Sequence, residues 1–312
     1  MNALDQAILK TVAYFDLFSY PLTPWEIWKW LFQQRATFVQ VQDALKNSAA
    51  LRDALSHQDG FFFLAGHEAH VHTRQSRYVL ALRKYHIANR ATRILSAIPF
   101  VRGVLVCNNL AYSNGTASSD IDVLLVIKAG RLWLSRFFIT MVMHLRRWRR
   151  HHGKIANRLC LSFYVADSDA GVQFEPLLLK PLDPYFAYWF RKLVPLYVAP
   201  RTYEKILNNN PWVHQYLPNA LPVAWAAGRS VDAQTHQAVQ RFGEMLFTGE
   251  LGNALNHLCR RFQLRLITSR KGSRLWQHTT DVVVNDDMLK FHENDRRTLY
   301  RDQWDALVTQ RV

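Results

Sequence analysis

Apolar residues recur at mostly helical spacing near the amino terminus, where Ile8, Leu9, Val12, Phe15 and Leu17 fall within residues 5–18 and predict a first helix. Tyr20-Pro21 stops it, because a residue before proline avoids helical backbone angles. Thr23-Pro24-Trp25-Glu26 has the form of a reciprocal N-cap with proline at the first helical position, which opens a second helix reaching about Phe32. Thr37-Phe38-Val39-Gln40 repeats the pattern and opens a third. Asp59-Gly60 and Ala65-Gly66 then punctuate two strand-like stretches, Phe61–Leu64 and Ala69–Thr73.

Residues 74–97 read as one long basic helix with Tyr78, Leu82, Tyr85, Ala88, Thr92 and Leu95 near one face, bridging two domains. Beyond Pro99 come an apolar strand over Val101–Cys107, a turn rich in Gly, Ser and Asn over 108–119, a strand over Ile121–Ile127, a helix over 131–150 and a strand over Leu159–Ala166. Strand, turn, strand, helix, strand is an α/β pattern. After Gly171 repeated prolines cut a mostly helical reading into short pieces, with one or two longer helices over 231–269 and another over 286–312. The fold class expected is α+β.

The 312 residues are 49% hydrophobic and 20% charged, enough apolar surface for real cores and too long for a single small module. Lysine and arginine number 39 against 24 acids, a net charge of +15 that favours polyanionic partners such as nucleotide phosphates or nucleic acid. Three cysteines without CxxC spacing argue against a disulfide framework or a structural zinc site and fit a reducing, cytoplasmic setting. The amino terminus is unlike a signal peptide, and the longest lipid-like run, Leu132 to Leu145, contains Arg136 and falls short of the ~20 residues a span requires, so no membrane partner is expected.

The informative segment is Asn108 to Ile127, in which Ser119-Asp120-Ile121-Asp122 leads into Val-Leu-Leu-Val. Carboxylates at i and i+2 on a strand share one face about 6.6 Å apart. Beside an apolar strand they repel unless protonated or shared by a cation, and Mg²⁺ bound to phosphate is the usual solution.

These residues resemble the polymerase-beta-like nucleotidyltransferase superfamily over about residues 100–170. Three short helices followed by a hairpin likewise resemble a winged helix over about 1–75. The resemblances imply a winged-helix-like domain over 1–75 and a nucleotidyltransferase-like α/β domain over 99–180, to which the residue pattern adds a bridging helix over 76–98 and a mostly helical carboxyl-terminal region over 181–312. They imply transfer of a nucleoside monophosphate from a nucleoside triphosphate to an unidentified acceptor hydroxyl. Asp120 and Asp122 would hold the catalytic Mg²⁺ pair, and Asn108, Asn109 and Ser119 would contact phosphate. A third carboxylate on a later strand would activate the hydroxyl.

Two departures stand out: Asn108-Asn109 takes the place of Gly-Ser, and Leu159–Ala166 contains no carboxylate, leaving Asp167 or Asp169 at its end for the third role. The alternative reading is a catalytically inactive relative that binds DNA or a protein partner through its winged helix and basic surface.

Several features also have plain structural readings. Nine basic residues and no acid lie between Lys128 and Arg158, a block able to receive triphosphate or nucleic acid but equally a helix with a solvated carboxyl end. The third helix carries only Lys46 as a base, while Trp25, Trp28 and Trp30 on the second point to packing against another domain or subunit. His67, His70 and His72 read as surface residues of a hairpin rather than a zinc site, and Asp286-Asp287 as a solvated helix start.

Overall fold

A computed structural model describes residues 1–151, 153–168, 171–223, 229–231, 234–269, 280–292 and 295–311. Helix α1 (Ala3–Asp16) buries Ile8, Leu9, Val12, Ala13 and Phe15. Both reciprocal caps form. The Thr23 and Thr37 amides donate to Glu26 and Gln40 at 3.0 and 2.8 Å, opening α2 (Pro24–Lys29) and α3 (Phe38–Asn47). Of the three tryptophans in this region only Trp25 is largely exposed; Trp30 is buried, and the Trp28 indole N–H donates to the Ala36 carbonyl.

After α4 (Ala49–Ala54) comes a hairpin of β1 (Leu55–Gln58) and β2 (Phe61–Leu64), whose pairing differs from the sequence expectation. Asp59 and Gly60 both take positive φ, 52° and 78°, so they form the tight link between the strands. Residues 69–73 are therefore not a strand. They form the first turns of α5 (Ala69–Leu95), which starts five residues earlier than its hydrophobic stripe suggests.

The remaining elements build on one sheet. In chain order they are β3 (Val101–Val106), α6 (Asn108–Ala111), β4 (Ile121–Lys128), α7 (Leu132–Leu145), β5 (Leu159–Asp167), α8 (Pro184–Arg191), β6 (Val194–Val198), α9 (Thr202–Asn208), α10 (Val213–Tyr216), α11 (Gln234–Leu246), α12 (Gly249–Thr268), β7 (Val282–Val284), β8 (Met288–Phe291) and α13 (Arg297–Thr309). The strand order is β6-β3-β4-β5-β8-β7, with β4 and β5 parallel and the other neighbours antiparallel.

Half of that sheet thus comes from beyond residue 180, in the stretch read as mostly helical. The helix expected over 286–312 begins only at Arg297. Before it, the Asn285 side chain accepts from the Asp287 and Met288 amides and turns β7 into β8, so Asp286-Asp287 sits in a strand turn rather than at a helix start.

Alternation along the central strands sorts their side chains. Leu105, Leu124, Val126, Phe163 and Val165 pack on one face with α1 and α8, while Val104, Val106, Val123, Leu125 and Ile127 pack on the other with α5 and α7. Each such buried side chain stabilises the fold by roughly 1.5–3 kcal/mol, so the sheet centre is a rigid base for the loops at its ends. No helix among the described residues is long and apolar enough to cross a membrane.

Candidate functional site

The start of β4 is where polar groups converge. Asp120 immediately precedes the strand and Asp122 is its second residue. Ile121 and Val123 belong to the α5 and α7 face, so Asp122 lies on the opposite face with Leu124. The Cys107 amide donates to the Asp122 carbonyl at 3.1 Å and brings the end of β3 alongside. Asn108 then takes φ 54°, a left-handed conformation that asparagine tolerates better than most side chains, and opens α6.

On the neighbouring strand, Cys160 stands in register with Asp122. One ligand atom each from Asp120, Asp122 and Cys160 lies within 4.8 Å of the others. Asp120 accepts from Arg150 at 2.6 Å, Arg150 also reaches the Cys160 sulfur at 3.7 Å, and Ser162 links Cys160 to the His292 ring at 3.4 and 3.2 Å. Behind the turn, buried Lys84 of α5 donates to the Ser119 carbonyl at 2.7 Å and the Asn157 side chain at 2.9 Å.

Burial, and next the Asp120 charge, push the Asp122 carboxyl above its ordinary range, against hydrogen bonds from Asn108 and Cys160. A carboxyl raised in this way contributes most to stability below the usual value near 4, and that contribution is lost as pH rises through its folded value. Asp122→Asn is therefore expected to stabilise the metal-free protein by an amount that grows between about pH 4 and pH 7. Urea midpoints at both pH values measure this, and a variant less stable than wild type at the higher pH would contradict the crowded placement of Asp122.

A cleft of about 170 Å³ opens beside Asn108, walled by Tyr185, Trp189, Lys290, His292 and Arg297. A smaller aromatic recess of about 30 Å³, lined by Tyr14, Phe18 and Tyr112, shares Asn108, Tyr185 and Trp189 with it. Burial, then neighbouring Lys290, lowers His292 to about 4, so the ring is neutral at physiological pH. Burial, then Arg297, lowers Lys290 to about 8, so it keeps its proton there by a small margin. Burial raises the Cys160 thiol to about 12, with the Asp122 charge adding to it.

The other sequence candidates are dispersed. Asn109 is exposed and lines the recess. The Ser119 hydroxyl donates back to the Thr116 carbonyl at 3.0 Å within its own turn. Asp167 does not join the pair. Because β5 runs parallel to β4, Asp122 faces Cys160 while Asp167 faces Lys128, about 20 Å further along the strands. There Asp167 accepts from Thr202 at 3.0 Å and lies 3.6 Å from the Lys205 ammonium. Asp169 lies outside the described residues.

Sequence reasoning missed Lys84, Arg150, Cys160, Ser162, Lys290 and His292. Only Cys160 and Ser162 carried a local signal, as polar residues two apart on a predicted strand beside the Asp pair. No protein-family model matches the chain, and comparison with curated proteins and with solved structures finds no match either.

Proposed function

We propose that Asp120 and Asp122, with the neighbouring cleft that Asn108 borders, bind a nucleoside triphosphate with Mg²⁺, as the resemblance to polymerase-beta-like nucleotidyltransferases implies. The carrying observation is the pairing of two carboxylates at the start of β4 with a left-handed Asn108 opening α6 beside them. On this reading residues 99–180 are the core of a nucleotidyltransferase-like unit, completed by strands from the 181–312 region. Residues 1–75 are a winged-helix-like unit joined to it by residues 76–98, most of which lie in α5.

The donor set suits the cation. Carboxylate oxygens are the hard ligands Mg²⁺ takes, and a cation would relieve the crowding that raises Asp122. Cys160, soft and held protonated, is not a Mg²⁺ ligand. Bound there, Mg²⁺ would neutralise phosphate charge, and the resemblance implies a second ion alongside it. Asn108 would orient a phosphate oxygen, with Lys290 and the exposed Arg296 supplying positive charge around the cleft. In the reaction, the acceptor oxygen would form a bond to the α-phosphorus while the bond to pyrophosphate breaks, and the hydroxyl proton would leave to a base.

That base is the weak point, and it gives a second reading its support. Cys160 and Ser162 stand on the strand beside Asp122 where a third carboxylate would be needed, and neutral His292 is a poor proton acceptor. The second reading is nucleotide binding without transfer, in a protein whose partner is DNA or another protein. Pyrophosphate release from the four ribonucleoside triphosphates with Mg²⁺ separates the two. Release by wild type that Asp122→Asn abolishes supports transfer, whereas Mg²⁺-dependent binding without release supports the second reading.

A further inference from the structure

We propose that Asp16, His67 and His70 form a second, separate site that binds one divalent transition-metal ion of the Zn²⁺ type. The sequence pattern places these histidines on the surface of a hairpin, but residues 69–73 belong to α5, and the turn that opens this helix brings His67 and His70 together. They lie three residues apart at its start and face the last residue of α1. His67 Nδ1 lies 2.5 Å and His70 Nδ1 3.3 Å from the two Asp16 carboxylate oxygens. All three ligand atoms fall within 4.8 Å of one another, and His72 is not among them. Ligands about 2.0–2.1 Å from a tetrahedral Zn²⁺ are separated by about 3.3 Å, so small side-chain adjustments suffice.

Two further observations point to a cation. Asp16 is a carboxylate with 3% of its side chain exposed at the carboxyl end of a 14-residue helix, where the helix dipole disfavours negative charge. Its ion-pair partners among the described residues are the two imidazoles, with one long bond from the Leu64 amide at 3.4 Å. His70 Nδ1, moreover, is buried and close to Asp16 without a hydrogen bond of acceptable alignment. Two imidazolium rings with centroids 4.9 Å apart would answer the charge at the cost of mutual repulsion. One ion accepts both ring lone pairs and the carboxylate at once.

Two nitrogens and one oxygen suit Zn²⁺, with water as the fourth ligand on the exposed side, where His67 is 37% accessible. Such an ion would staple the end of α1 to the start of α5, the helix whose Lys84 holds the Asp120 turn.

The test is calorimetric titration of ZnCl₂ into three forms of the full chain: wild type, Asp120→Asn/Asp122→Asn, and His67→Ala/His70→Ala. One tight equivalent is expected in the first two and none in the third, or one weakened well beyond the ~10–100-fold that loss of a mere supporting residue costs. Circular dichroism of the third form checks its fold, and His70→Gln, which keeps a polar side chain, should weaken the same equivalent. Absence of tight binding in wild type, or its persistence in the folded His67→Ala/His70→Ala form, overturns the assignment.

Discussion

Arg297→Met is expected to destabilise the protein by about 3–5 kcal/mol, the cost of leaving a buried charge without its partner. Arg297, 5% exposed, donates to Asp183 at 2.7 Å, to Asp295 at 2.7 Å and to the Leu177 carbonyl at 2.8 Å. Asp183 is nearly inaccessible and also caps α8 by accepting from the Phe186 amide at 2.9 Å. Removing the guanidinium leaves that carboxylate buried without its cationic partner, behind a cleft that Arg297 itself lines. Against a usual stability of about 5–15 kcal/mol, the loss should move the urea midpoint visibly. Adding Asp183→Asn to the variant should recover part of it, because the isolated charge is then gone while the cap acceptor remains. A loss below about 1 kcal/mol would show that water reaches Asp183.

Lys84→Met is expected to act on stability and on the site together. Its ammonium group is the donor to both the Ser119 carbonyl and the Asn157 side chain, and its stem lies against Gly115. Methionine keeps the stem but leaves two acceptors short of a donor, at about 1–3 kcal/mol, reduced by no longer burying a charge. Because those bonds hold the turn that presents Asp120, the proposed triphosphate binding would weaken about 10–100-fold, as for other residues that support a ligand. Titration well below the melting temperature separates the two effects. Unchanged affinity in a folded Lys84→Met protein would mean the turn holds its own shape.

What was legible in the sequence follows from how far apart the interacting residues lie. The caps at Thr23 and Thr37 each involve residues three apart, so spacing alone revealed them. The short polar spacing of Asp120 and Asp122 likewise placed both carboxylates at one strand end. Lys290, His292 and Arg297 reach the cleft through the pairing of β8 with β5, more than 120 residues away, and β8, a strand of four residues, is too short to announce itself. Strand β6 contains Pro195, which reads locally as a break.

The third carboxylate was misplaced for a related reason. A strand's sequence does not state its direction in the sheet, and the parallel course of β5 carries Asp167 away from the pair. Nor does composition tell which of Arg146, Arg147, Arg149 and Arg150 is used. The bridge between Arg149 and Leu159 decides that, turning Arg150 towards Asp120.

The most direct measurement is the melting temperature with each of the four ribonucleoside triphosphates, with Mg²⁺ or with EDTA, for wild type and for Asp120→Asn/Asp122→Asn. At 100 times the dissociation constant, a bound nucleotide adds about 2.7 kcal/mol, which for a chain of this length is a rise of about 4 °C. The rise should appear in wild type for at least one nucleotide, require Mg²⁺ and vanish in the variant. A rise independent of Mg²⁺, an equal rise in the variant, or none with any nucleotide would contradict nucleotide binding at the Asp120 and Asp122 pair.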